Sequence, residues 1–100
     1  VKRGQPAAPR LLAEIGGRPV PLDTCDWVLW GPCGCPWGVT VARYAPTEDL
    51  AWKSLYDYKR EIGKAKRKGC RLELMTHERW GREVMPAMQA GCHHDEAVPR

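Results

Sequence analysis

Residues 26–42 read DWVLWGPCGCPWGVTVA. Two runs of β-branched and aromatic residues, Asp26 to Trp30 and Gly38 to Ala42, flank the turn-forming segment 31–37, and such residues favour a pleated surface. The spacing predicts a β-hairpin whose loop carries Cys33 and Cys35. Upstream, Gly16 and Gly17 separate two short apolar runs, Leu11 to Ile15 and Arg18 to Leu22. A Gly-Gly pair there favours a tight hairpin, because both residues can take positive φ. Pro19 and Pro21 lack amide donors, which confines the second arm to an edge or an irregular extended segment.

Downstream, Pro46, Thr47, Glu48 and Asp49 open a helix, with Thr47 as N-cap and two acids where the helix dipole favours negative charge. One long basic amphipathic helix is expected from about residue 48 to 68, closed by Gly69 after Lys66, Arg67 and Lys68. At 100° per residue, Ala51, Leu55, Tyr58, Ile62 and Ala65 share one apolar stripe, burying Leu55 and Ile62. Lys53, Arg60, Lys64 and Arg67 lie opposite. Cys70, Leu72 and Leu74 then alternate with Arg71 and Glu73 as a strand with one buried face. Thr76 caps a short C-terminal helix marked by Trp80, Val84 and Met88, which Pro86 must kink or end.

The order β-β-β-β-α-β-α predicts a small α+β domain, with helices packed on an antiparallel sheet. At 100 residues and 43% hydrophobic content the chain makes one domain. We expect a flexible arm over 1–10, the domain over 11–95 and a tail over 96–100. No run of about 18 apolar residues and no secretory signal stand in the chain, so a cytoplasmic protein with no membrane partner is the expectation. A domain this small buries only about 60 to 65% of its unfolded surface, so a metal or a partner would help to hold it.

Five cysteines, at 25, 33, 35, 70 and 92, leave one thiol over from any complete set of disulfides. Without a secretion signal the thiols are expected to stay reduced, and Cys and His grouped at both ends of the chain point to a zinc clasp. Cys33 and Cys35 on a turn supply half of a tetrahedral site, and Cys92 with His94 the other half. Cys25 and His93 are the reserve ligands. Cys25 is separated from the loop tip by a strand about 15 Å long. The alternatives are that Cys25 and Cys70 are small buried hydrophobes, and that Cys33 and Cys35 form a redox dithiol. The zinc is read as structural, because a catalytic zinc keeps a position open for water.

The hairpin loop Cys33-Gly34-Cys35-Pro36-Trp37-Gly38, the Lys- and Arg-rich helix from Tyr58 to Lys68 ending at Gly69, the strand after it, and Trp80 with Met85-Pro86 ahead of Cys92 and His94 come in a telling order. In that order the chain resembles small Cys- and His-containing proteins of actinobacterial bacteriophages, over roughly residues 24–95. The resemblance implies an accessory phage protein in a host cytoplasm and supplies no activity.

Enzyme signatures are largely missing: no phosphate-binding G-x-x-x-x-G-K-[ST] loop, no G-x-S-x-G elbow, no H-E-x-x-H. A non-enzymatic protein with no small-molecule substrate is expected, and His77 and Glu78 are read as an exposed pair. Residues 53–71 carry eight Lys or Arg against Asp57 and Glu61, although the whole chain nets only +4. The stripe of Lys53, Arg60, Lys64 and Arg67, flanked by Lys59, Lys66 and Lys68, could neutralise phosphates without reading bases. A merely solvated helix face explains it equally well. Five Trp and three Tyr exceed what a thin core hides easily, and aromatics with Arg are what protein interfaces favour. The preferred reading is therefore a module that binds a host protein or itself, with Trp37 and Trp52 as anchors. The alternative is a nucleic-acid binder working through residues 53–68, with Arg60, Lys64, Arg67 and Lys68 at its centre.

Overall fold

The computed structural model describes residues 11–91. The first hairpin pairs β1 (Leu12–Ile15) with β2 (Arg18–Pro21). Gly16 and Gly17 take φ of 61° and 80° at its turn, the left-handed region open to glycine. A 3-10 turn at Leu22–Thr24 leads into β3 (Cys25–Trp30), which pairs antiparallel with β4 (Pro36–Val41) and β5 (Arg71–Thr76). The three-stranded sheet has the order β4-β3-β5, so β3 lies in the middle.

That central strand is covered on both sides. Trp27 and Leu29 face the first hairpin and two helices, in clusters with Leu22, Ala42, Ala45 and Ala51 and with Trp52, Ala65 and Cys70. Val28 faces the other way and packs on Met75 and Val84. β5 is also covered on both faces: Leu72 and Leu74 join the first side and Met75 is buried on the second. The single buried face expected for β5 is thus a correction, produced by the C-terminal helix lying across the second side.

The expected long helix is two helices, α1 (Glu48–Leu55) and α2 (Lys59–Lys68). Tyr56 and Tyr58 at the break are extended, with φ of -133° and -126°. A straight helix over 48–68 would run about 31 Å, while a six-residue strand spans only about 20 Å, so one rod would overrun the sheet. The break lets α2 pack on it as well, through Ile62 and Ala65. It also shifts the helical phase. Tyr58, assigned to the buried stripe, is 67% exposed, and Trp52, assigned outside it, is only 2% exposed. Leu55 and Ile62 are half-buried and Lys64 is exposed. Thr47 accepts from the Leu50 amide at 3.2 Å, and Gly69 closes α2 at φ 105°, both as the sequence predicts.

Thr76 caps the C-terminal helix, its hydroxyl accepting from the Arg79 amide at 3.2 Å. This helix runs as α3 (His77–Arg79), a π-helical turn (Trp80–Val84) and α4 (Met85–Ala90). Proline has no amide to give its helical partner and its ring crowds the turn before it. The wide turn, in which the Met85 amide bonds the Trp80 carbonyl, absorbs both demands, so Pro86 neither ends the helix nor leaves it uniform. Among the described residues no helix is long and apolar enough to cross a membrane.

This packing predicts unequal costs at two sites. Met75→Ala should lower stability by about 2 to 5 kcal/mol by opening a cavity, whereas Tyr58→Ala should change it by about 0.5 kcal/mol or less. Urea unfolding measures both. Equal losses would restore the continuous helix with Tyr58 in its buried stripe.

Candidate functional site

The loop between β3 and β4 is a tight turn. The Gly34 amide donates to the Gly31 carbonyl at 2.9 Å, the Gly31 amide to the Cys35 carbonyl at 2.8 Å, and Gly34 has φ 88°. Cys33 and Cys35, both half-buried, sit on this turn two residues apart. Cys92, His93 and His94 lie outside the described residues. Within the described residues no group of three or more His, Cys, Asp or Glu side chains is arranged to hold a metal. Cys25 stands at the opposite end of β3 from the loop, buried, with its sulfur 3.5 Å from the Pro21 carbonyl. Burial pushes its thiol pKa up, aided by Asp26 and Asp23, although a hydrogen bond with Thr24 opposes the rise. That is the environment of a small buried hydrophobe.

After the loop the pairing slips. Leu29 faces Gly38 and Trp30 faces Pro36, so Trp37 is the residue passed over in a β-bulge. Bulges turn a side chain away from the regular pleat. Here the indole lies against Gly31, where a Cβ would overlap its ring, and it stays 41% exposed. Trp37 lines a cavity of about 140 Å³ together with Tyr56, Glu61, Lys64, Lys68 and Cys70. Ala65 adds a small buried side chain to the lining. The loop reaches this side of the molecule because Pro32 packs beside Gly69. Burial pushes the Cys70 thiol up against the opposing pull of Lys68, and it pushes the Tyr56 phenol up as well. Both groups are therefore uncharged at neutral pH.

Two cations of α2, Lys64 and Lys68, line that cavity, and the others run along the helix. Lys59, Arg60, Lys64, Lys66, Arg67 and Lys68 are all exposed. Among the described residues no carboxylate lies within ion-pair distance of them. Lys66 sits over the Trp52 ring at 5.2 Å and the Arg67 guanidinium folds over Gly63. Lys53, assigned to the same stripe, belongs to α1 and pairs with Asp49 at 3.2 Å. Trp52 cannot serve as an exposed anchor. It is buried and stacked on Tyr56, and its indole donates to Glu48 at 3.2 Å.

On the second side of the sheet the sequence reading missed a pair. His77 Nδ1 donates to Asp26 Oδ2 at 2.7 Å; the His side chain is 70% exposed and the Asp side chain 5%. The imidazole also stacks on Trp80, whose buried Nε1 finds no acceptor among the described residues. Glu78 is exposed and makes no part of this pair. The contact spans 51 positions, so no local spacing could reveal it. It ties α3 to β3 by giving a buried carboxylate its partner. Comparison with protein-family models, with curated proteins and with solved structures finds no match to this chain.

Proposed function

We propose that this protein is a non-enzymatic binding module whose α2 face, beside Trp37, holds nucleic acid through its phosphates, without sequence selection. The observation that carries the reading is the exposed set Lys59, Arg60, Lys64, Arg67 and Lys68, none of them in an ion pair among the described residues and sharing their helix with a single acid, Glu61. A helix face needs only to be polar to be solvated; acids interspersed with the lysines would serve that purpose with less self-repulsion. A ten-residue helix is about 15 Å long, which matches the rise of about four phosphates along one strand.

The sequence reading placed a protein partner or self-association first. Burial of Trp52 removes one of the two anchors on which that preference rested and leaves Trp37, which stands among the cations and serves the nucleic-acid reading equally. An accessory phage setting in a host cytoplasm stays part of the proposal, and it rests on the resemblance alone.

With about four phosphates neutralised, affinity for an arbitrary strand or duplex should fall about 100-fold between 50 and 200 mM salt. Changing Arg60, Lys64 and Arg67 together to Glu should abolish binding while the circular dichroism spectrum stays native. Binding that persists in high salt, or survives the reversal, would contradict the reading.

We further propose one structural zinc held by Cys33, Cys35, Cys92 and His94. The tight turn at Gly34 supports half of it by carrying Cys33 and Cys35 two residues apart. Cross-linking residues 33 and 94 would close most of the chain into a loop, where a staple restricts the unfolded state most. Elemental analysis of protein purified without added metal should find one zinc per chain, lost in Cys33→Ser and kept in Cys25→Ser. A zinc-free chain that remains folded in chelator would contradict this assignment.

A further inference from the structure

We propose that the cavity between Trp37 and α2 receives one unstacked nucleobase, so that this face takes single strands in preference to duplex. The inference rests on the reading of α2 as a phosphate-binding face and adds what kind of nucleic acid it holds. An aromatic platform is useful for stacking only if it is held still, and two features hold Trp37. The bulge between Leu29 and Trp30 turns it out of the pleat, and the bare backbone of Gly31 lets the indole lie flat against the loop. A side chain at residue 31 would displace the ring.

The cavity beside the ring has the chemistry of a base site. Trp37 and Tyr56 give it aromatic walls, and the small side chains of Ala65 and Cys70 leave about 140 Å³ open. Lys64 and Lys68 stand at its rim, one helical turn apart, where the phosphates flanking an inserted base would lie. Glu61 offers an acceptor to the polar edge of a base. A bare anion has no use for the aromatic walls, and Glu61 would repel it. Bases in duplex are already stacked on one another and present only their backbone to such a site, whereas an unpaired base has a free π-face. The shared chemistry is an unstacked base with its phosphodiesters, in DNA or in RNA.

The test compares four labelled ligands of equal length at one salt concentration, read by fluorescence anisotropy: oligo-dT, oligo-rU, an abasic deoxyribose-phosphate strand and a duplex. The wild-type chain should bind oligo-dT, oligo-rU or both more tightly than the abasic strand and the duplex. Trp37→Ala should weaken the base-bearing strands by about 5- to 150-fold, the range of one lost base-aromatic stack. It should leave the abasic strand and the duplex nearly unchanged. Trp37→Phe, which keeps a ring, should retain most of the preference, and this separates stacking from mere loss of the loop's shape. Dependence on Trp37 with only one of the two strands supports the proposal and identifies the sugar. Equal weakening of all four ligands by Trp37→Ala, or no weakening, overturns it, as does tighter binding of an acidic peptide than of any strand. If the Arg60, Lys64 and Arg67 reversal leaves all four affinities intact, the phosphate-binding reading itself fails, a result distinct from the loss of single-strand preference alone.

Discussion

The burial of β3 on both faces is the constraint on which the remaining structure depends. From Cys25 to Leu29 every residue is buried, so two separate layers must cover the strand. The first hairpin with α1 and α2 makes one layer, and the C-terminal helix makes the other. Polar groups carried into this sandwich need partners, since a buried unpaired group costs about 1 to 3 kcal/mol. They have them. The Trp27 indole donates to the Ala45 carbonyl at 2.8 Å, Trp30 to Glu73 at 3.0 Å, and the Asp26 carboxylate accepts from His77 at 2.7 Å. Glu73 is held in turn by Arg79 at 3.1 Å, which links the far layer back to the sheet.

The same constraint sets where the charge goes. Two helices must share the first face with a hairpin, so the chain turns at Tyr56–Tyr58 and α2 contributes only Ile62 and Ala65 to the core. Glu61 and Gly63 are half-buried, and the six exposed positions of α2 are all cations. Three of these stand in the last turn, where the helix dipole favours positive charge and offsets part of their mutual repulsion. The bulge at Trp37 then brings an aromatic ring to the same side. Exposed charge, an aromatic wall and a small cavity thus meet on one face for reasons that begin in the packing of β3.

Much of the fold was legible because its signals are local. Gly16 with Gly17, Thr47, Gly69 and Thr76 act through their own backbone conformation or nearest amides, and each stands where the sequence places it. The helix break was not legible, because it answers to the length of a sheet assembled from distant segments. A periodicity carried through it put Tyr58 inside and Trp52 outside, the reverse of what is found. Pro86 gave a true signal of distortion but not of its form, since a π turn and a helix end remove the same clash. In the candidate site, the cations of α2 were visible by composition and Trp37 by its place beside the loop. Its approach to Lys64 and Lys68 depends on the bulge and on Gly31, and the Asp26 and His77 contact depends on strand register, neither of which a spacing rule encodes.

Mapping the backbone and indole amide resonances of the labelled protein, with and without a short single strand, tests most directly whether α2 and Trp37 form the working face. The account predicts shifts confined to residues 59–68 and the Trp37 indole, with the first hairpin and His77 to Ala90 unchanged. Shifts centred on the C-terminal helix, or on the exposed Leu11 and Leu12 end of the hairpin, would contradict it.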